Sequence, residues 1–137
     1  MDIVNLERQH KEVYTLVEEI RSYDKTSAAE HAPAIAKSLA QLSGIIKMHL
    51  LSEDKFLYPA LKQHADEKVR TTAVAFDEEM QALAKAFEAY KAKYIIASKI
   101  IQNTEEFLKE TKAVFATLEK RMRKEDQELY PLLKTLA

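Results

Sequence analysis

The chain has no cysteine and, among its 137 residues, a single glycine, Gly44. Without cysteine it cannot form disulfides, thiolate nucleophiles, iron–sulfur clusters or zinc fingers. One glycine is too few for the glycine-rich loops that hold phosphate in P-loop and Rossmann nucleotide-binding proteins. Whatever chemistry the chain performs must therefore come from other side chains.

The chain also lacks a large excess of positive or negative charge, and it lacks long apolar runs. The formal net charge is −1, so there is no basic field to hold nucleic acid or an anionic membrane. No apolar stretch reaches the length needed to cross a bilayer. Residues 1–5 are neither basic nor followed by a signal-type apolar run. We therefore expect a cytoplasmic protein that binds neither nucleic acid nor membrane.

Proline is scarce too, whereas Ala, Leu, Glu and Lys are abundant, which favours helix. Apolar residues recur at helical spacing in four stretches, roughly residues 5–22, 33–56, 67–90 and 103–127. Four amphipathic helices with short connections predict an all-α fold, an antiparallel up-down-up-down four-helix bundle. The length predicts one domain, residues 1–137.

Two of the three prolines, Pro59 and Pro131, fall near the ends of the second and fourth predicted helices. Proline lacks an N–H and clashes with the preceding turn, so each is expected to break or kink its helix. Short extra helical segments are expected after each of them.

A thirteen-residue phrase occurs twice, at residues 49–61 and 121–133, and six of its positions are identical. In each copy a charged or ionisable residue lies four positions before a Glu, so the two project from one helical face. In the first copy the pair is His49 and Glu53, which suits metal ligation. In the second copy Arg121 takes the place of the histidine. The pattern predicts a two-fold metal site with one half altered.

The predicted topology brings distant residues to one level of the bundle. In an up-down-up-down arrangement, with a rise of about 1.5 Å per residue, five positions fall at the same end. These positions are His10, His49, Glu53, Phe76 and Glu125.

These residues resemble the hemerythrin-like (HHE cation-binding) domains of bacteria over essentially the full chain. The resemblance rests on Leu6-x-x-x-His10, on His49-x-x-x-Glu53 followed by Leu57-Tyr58-Pro59, and on Glu125 followed by Leu129-Tyr130-Pro131. Family members that bind oxygen hold two irons between two bridging carboxylates. The resemblance implies that His10 and His49 are ligands of one iron, and that Glu53 and Glu125 are the bridging carboxylates.

The half that would hold a second iron departs from the family pattern. The third helix has no histidine, and Phe76 and Met80 occupy the inward layer where ligating imidazoles are expected. Arg121 stands where the fourth helix would supply its histidine. Because a guanidinium is always cationic and binds carboxylates in a bidentate manner, Arg121 can replace the second metal by pairing with Glu53, Glu125 or both. This predicts a mononuclear site.

Two imidazoles with carboxylate suit Fe(II), with Mn(II) and Zn(II) as alternatives. Open coordination positions would admit a small ligand such as dioxygen, nitric oxide or peroxide. Glu7-x-x-His10 has the spacing of ferritin-like di-iron bundles, but that class needs two such units. Glu79, adjacent to Met80, could instead add a carboxylate and restore a second iron.

Several aromatic residues lie near the predicted metal layer. Tyr14, one turn after His10, could place a phenol near the site, although core packing is the simpler expectation. Tyr58 and Tyr130 are expected to anchor the helix ends through their hydroxyls, and either could approach the metal layer. In a metal-free alternative, buried His10 and His49 would be satisfied by the two glutamates alone.

Three functions follow from these alternatives. The first is binding or sensing of a small ligand at a non-haem iron. The second is a metal-free protein of the same fold that acts through a protein partner or by self-association, for which an apolar strip within residues 90–101 (Tyr94, Ile95, Ile96, Ile100 and Ile101) is a candidate surface. The third, an enzyme that processes peroxide or nitric oxide, ranks last, since no substrate pocket or acid–base pair is recognisable.

Overall fold

The computed structural model describes residues 3–134, and the remaining ends of the predicted domain, residues 1–2 and 135–137, lie outside the described residues. Within that range every regular element is helical, which confirms the all-α prediction. In chain order the elements are α1 (Ile3–Arg21), α2 (Lys25–Glu30), α3 (Ala32–Ser52), π1 (Glu53–Leu57), α4 (Tyr58–Lys62), α5 (Glu67–Tyr94), α6 (Ala97–Gln102), α7 (Thr104–Lys124), π2 (Glu125–Leu129) and α8 (Tyr130–Lys134).

The four long helices α1, α3, α5 and α7 are those that the apolar spacing predicts. Helix α1 packs against α3 and α7, and α5 packs against the same two helices. The core between them is built from side chains spaced three or four residues apart, including Val13, Val17, Ile20, Leu39, Leu42, Ile46, Met80, Leu83, Phe87, Phe115, Leu118 and Met122. Burying each large apolar side chain contributes about 1.5–3 kcal/mol, which holds the bundle together.

The early part of α1 meets the ends of α3 and α7. This contact is direct, since the side chain of His10 touches those of His49 and Glu125. The up-down-up-down order stays a prediction with which this contact agrees.

Helices α3 and α7 both end in a π turn, in which the backbone N–H of one residue donates to the carbonyl five positions earlier. In π1 the N–H of Tyr58 donates to the carbonyl of Glu53, and in π2 the N–H of Tyr130 donates to the carbonyl of Glu125. The repeated phrase therefore has the same backbone in both copies. Each wide turn begins at a candidate metal ligand.

The helical backbone continues through the prolines of the phrase, so neither proline breaks its helix, and the kink stays a prediction. Pro59 and Pro131 are the second residues of α4 and α8, so each short segment, expected after its proline, begins one residue before it. In the first turn of a helix a missing N–H costs little, because that group has no intrahelical partner. The preceding π turn resets the hydrogen-bond register, and the helix continues past each proline.

The apolar strip of the 90–101 segment divides between the core and the surface. Tyr94 and Ile100 are buried, whereas Ile95, Ile96 and Ile101 are exposed. Among residues 3–134, no helix combines the length and apolar character that a membrane span requires.

Candidate metal centre

Four buried side chains converge where α1, α3 and α7 meet. His10 comes from α1, His49 from the last turn of α3, and Glu53 and Glu125 from the first positions of π1 and π2. One ligand atom from each lies within 4.8 Å of all the others. We call these four residues the ligand cluster.

The spacing within the ligand cluster suits one ion. The two Nε2 atoms of His10 and His49 lie 3.0 Å apart, and Nε2 of His10 lies 3.1 Å from Oε1 of Glu125. Nε2 of His49 lies 3.2 Å from Oε2 of Glu53. Two atoms that each bind one ion at about 2.1 Å are separated by about 3.0–3.4 Å for angles between octahedral and tetrahedral. These three separations fall in this range, and the 3.5 Å between Nε2 of His49 and Oε1 of Glu125 lies just above it.

The outer nitrogen of each imidazole is held by an oxygen. Nδ1 of His10 donates to Oδ1 of Asp126 at 2.7 Å, and Nδ1 of His49 donates to Oε1 of Gln9 at 2.9 Å. Because the acceptors are a carboxylate and an amide oxygen, each Nδ1 carries a proton. Each Nε2 is therefore the atom that faces the cluster and can bind a metal.

Asp126 and Gln9 were not predicted from the sequence. Asp126 carried a signal, because Asp follows Glu in both copies of the repeated phrase. Gln9 carried none, since one polar residue on a helix has no distinguishing pattern. Tyr14, which was predicted near the site, donates to Oδ2 of Asp126 at 3.2 Å. It supports His10 through this carboxylate and is not one of the clustered ligand atoms.

The two tyrosines of the repeated phrase cross over to the opposite carboxylates. Tyr130 donates to Oε2 of Glu53 at 2.9 Å, and Tyr58 donates to Oε2 of Glu125 at 3.2 Å. Burial and the two nearby carboxylates raise the pKa of both phenols far above its usual value. Without a metal, both hydroxyls are therefore neutral donors.

Protons balance the charges of the cluster when no cation is bound. Burial and the charge of Glu125 raise the pKa of Glu53 well above its usual range. Burial would also raise the pKa of Glu125, but hydrogen bonds with Glu53, His10 and His49 lower it below its usual value. Burial would lower the pKa of His49, but its hydrogen bonds to Glu125 and Glu53 raise it to about 10. The protons on His49 and Glu53 are those that a metal would displace.

One oxygen of the cluster lacks a partner. Oε1 of Glu53 is buried, and it has no hydrogen-bond partner among the described residues. An unsatisfied buried polar atom costs about 1–3 kcal/mol. A cation is the kind of partner that a carboxylate oxygen takes in an otherwise apolar interior. Together with the inward Nε2 atoms, this oxygen fits a metal.

Arg121 does not pair with the carboxylates of the cluster, which corrects the sequence prediction. Its guanidinium forms an ion pair with Glu79. The side chains of Arg121 and Glu79 are 15% and 47% exposed, so this pair keeps part of its hydration. Inside the cluster, by contrast, Glu53 and Glu125 already accept hydrogen bonds from histidine and tyrosine. An ion pair between the guanidinium and these carboxylates would therefore contribute less stabilisation.

Other residues expected near a second metal have structural contacts instead. Glu79 lies outside the ligand cluster and is engaged by Arg121. Met80 is buried in the main core, and Phe76 packs in an apolar cluster with Leu57 and Leu129. The surroundings of Met80 and Phe76 are therefore apolar at the positions where the resemblance to oxygen-binding family members implies further imidazoles.

A comparison of the sequence with protein families also indicates a cation-binding domain. The sequence model of the family described as hemerythrin HHE cation binding domain matches residues 1–133. No curated protein matches the chain, and no solved structure matches it. The matched range contains the whole ligand cluster and both copies of the repeated phrase. The chain therefore belongs to the hemerythrin HHE cation-binding domain family.

Proposed function

We propose that the chain binds one iron ion through the ligand cluster and that this ion binds a small ligand, such as dioxygen, nitric oxide or peroxide, as a signal. The observation that carries the proposal is the set of two inward Nε2 atoms and two carboxylates, buried together at ligand spacing. Two imidazoles with carboxylate suit Fe(II), and Mn(II) and Zn(II) are the alternatives.

The surrounding residues have defined tasks in this proposal. Asp126 and Gln9 fix the direction of the imidazoles, and Tyr58 and Tyr130 fix the two carboxylates. The apolar cluster beside the site, including Leu6, Leu57, Phe76 and Leu129, excludes bulk water. When bound, iron supplies open coordination positions and a redox couple.

A mononuclear site is favoured over a di-iron site by the second half of the bundle. Glu79, the carboxylate that could complete a second metal position, is paired with Arg121. Phe76 and Met80 are buried among apolar side chains. A second iron would therefore lack imidazole ligands at these positions, and Glu79 would have to leave Arg121 to bind it.

The test is the metal content per chain after anaerobic addition of Fe(II) and desalting. We expect about one iron per chain in the wild type and almost none in His49→Ala. His31→Ala is the matched control, because His31 is exposed and lies far along the chain from the cluster. Circular dichroism establishes that each variant is folded. Wild-type protein that is folded and binds no metal would contradict the proposal.

A second candidate function is a metal-free interaction module. The observation that favours it is the set of exposed isoleucines Ile95, Ile96 and Ile101, together with a cluster whose protons and tyrosine hydroxyls already balance much of its charge. In this case the partner would be another protein or a second copy of the chain. Folded, iron-free protein with an isoleucine-dependent association, measured by sedimentation with Ile96→Ser as the variant, would support it.

A further inference from the structure

The hydroxyl of Tyr130 lies inside the ligand cluster. Its Oη is 3.1 Å from Nε2 of His10, 3.3 Å from Nε2 of His49 and 2.9 Å from Oε2 of Glu53. These distances match those between the ligand atoms that are in contact with one another, 3.0–3.5 Å. The phenol oxygen thus occupies the position of a ligand rather than a position behind one.

The ring of Tyr130 is also held in place. It stacks on the imidazole of His10, with ring centroids 5.2 Å apart and an angle of 21° between the planes, and it is buried. A side chain fixed by stacking and burial loses little further freedom when its oxygen binds a metal.

The equivalent tyrosine of the first copy does not share this position. Tyr58 donates to Oε2 of Glu125, and among the described residues it hydrogen-bonds to neither imidazole. The repeated phrase therefore supplies one phenol that joins the cluster and one that remains behind a carboxylate. This difference provides a matched control within the same chain.

The geometry points to Tyr130 as a further ligand of the iron, bound through its phenolate oxygen when the ion is Fe(III). This inference rests on the proposed iron binding. As the O–Fe bond forms, the O–H bond breaks, the proton leaves to solvent, and the oxidation state of the iron is unchanged by that step. A phenolate is a hard anionic oxygen, and tyrosinate is an established ligand of ferric iron in haem proteins.

Charge balance favours this assignment. Two carboxylates neutralise Fe(II), whereas Fe(III) needs one more negative charge in a site from which water is excluded. The guanidinium of Arg121 is engaged elsewhere. The phenolate of Tyr130 is the anion at ligand distance that can supply the third charge.

The experiment uses full-length protein loaded with Fe(II) without oxygen and then oxidised by air. We expect a visible phenolate-to-Fe(III) charge-transfer band and resonance Raman bands of a bound phenolate. Tyr130→Phe should lose both while keeping about one iron per chain. Tyr58→Phe and Tyr14→Phe should retain the charge-transfer band per bound iron.

Each outcome is informative. Iron-loaded wild type without the band, or Tyr130→Phe with the band intact, would overturn the ligand role of Tyr130 and leave iron binding standing. Wild type that binds no iron would overturn both proposals. If Tyr130→Phe does not fold, ring-deuterated tyrosine in the Tyr58→Phe and Tyr14→Phe proteins decides the question. An isotope shift of the Raman bands in both supports Tyr130, and its absence contradicts it.

Discussion

In the first copy of the repeated phrase, residues 49–61, the position four residues before Glu is His49, which is buried in the ligand cluster. In the second copy, residues 121–133, the same position is Arg121, which lies at the partly exposed junction with α5 and pairs with Glu79. Both copies have the same π turn. The same backbone therefore places the side chain of His49 inside the ligand cluster and the equivalent side chain of Arg121 outside it.

The aspartates that follow each Glu also have different surroundings, although the residue is Asp in both copies. Asp126 accepts hydrogen bonds from His10 and Tyr14 of α1. Asp54 is exposed and accepts from Gln81 of α5 at 3.4 Å. The role of a repeated residue is thus decided by the helix that faces it. A repeat in the sequence predicts the backbone better than it predicts the chemistry.

The largest expected difference between the copies is at the position four residues before each Glu. His49→Ala should weaken iron binding by more than about 100-fold, because it removes a proposed ligand. Arg121→Ala should leave the affinity nearly unchanged, since the guanidinium pairs outside the cluster. Competition with a chelator measures both. A large loss of affinity in Arg121→Ala would show that this charge acts on the metal.

The next largest difference concerns the aspartates. Asp126→Asn should weaken iron binding by about 10–100-fold, because the carboxylate that orients His10 and raises its basicity is lost. Asp54→Asn is the control and should change affinity little, since Asp54 has no contact with the cluster among the described residues. The same chelator competition applies. Equal effects of the two substitutions would contradict the asymmetry.

The two copies also differ in a group that can release a proton when metal binds. The first copy supplies the imidazole of His49, whereas the second has Arg121 at that position. The pKa of His49 is raised to about 10 without metal, so at neutral pH binding must displace its proton. Apparent affinity should therefore rise with pH, about tenfold per pH unit for each proton released. Titration in buffers of different ionisation enthalpy counts these protons. An affinity independent of pH would contradict the charged imidazole.

The smallest expected effect is a change in the stability of α3, the helix that carries His49, without a change in metal binding. Gly44 lies in α3 and is exposed, and apart from its chain neighbours and the adjacent backbone of its own helix a Cβ there would meet no atom within 4 Å. Gly44→Ala should stabilise the fold by about 0.5–1 kcal/mol, because alanine loses less backbone freedom on folding. Thermal unfolding measures the gain. Iron content should stay the same, which would show that affinity does not simply follow helix stability.

Much of the fold could be predicted because apolar periodicity reports directly on helices and on their buried faces. The convergence of the ligand cluster followed from the same periodicity combined with a bundle topology. The partner of Arg121 could not be predicted, because its spacing to Glu125 is helical while its real partner is Glu79 on another helix. Gln9 was missed for a related reason: it precedes His10 in the chain but binds His49. Contacts between helices depend on rotations and offsets that a single sequence does not encode visibly.

The number of residues in each π turn determines where the tyrosine that follows it lies. Four residues separate Glu53 from Tyr58, and four separate Glu125 from Tyr130. Removing one of them would rotate everything beyond by about 100° and carry the phenol out of the site. The loops between helices tolerate insertions and deletions, whereas these two segments cannot change length. Length variation among descendants of this chain is therefore expected to spare them.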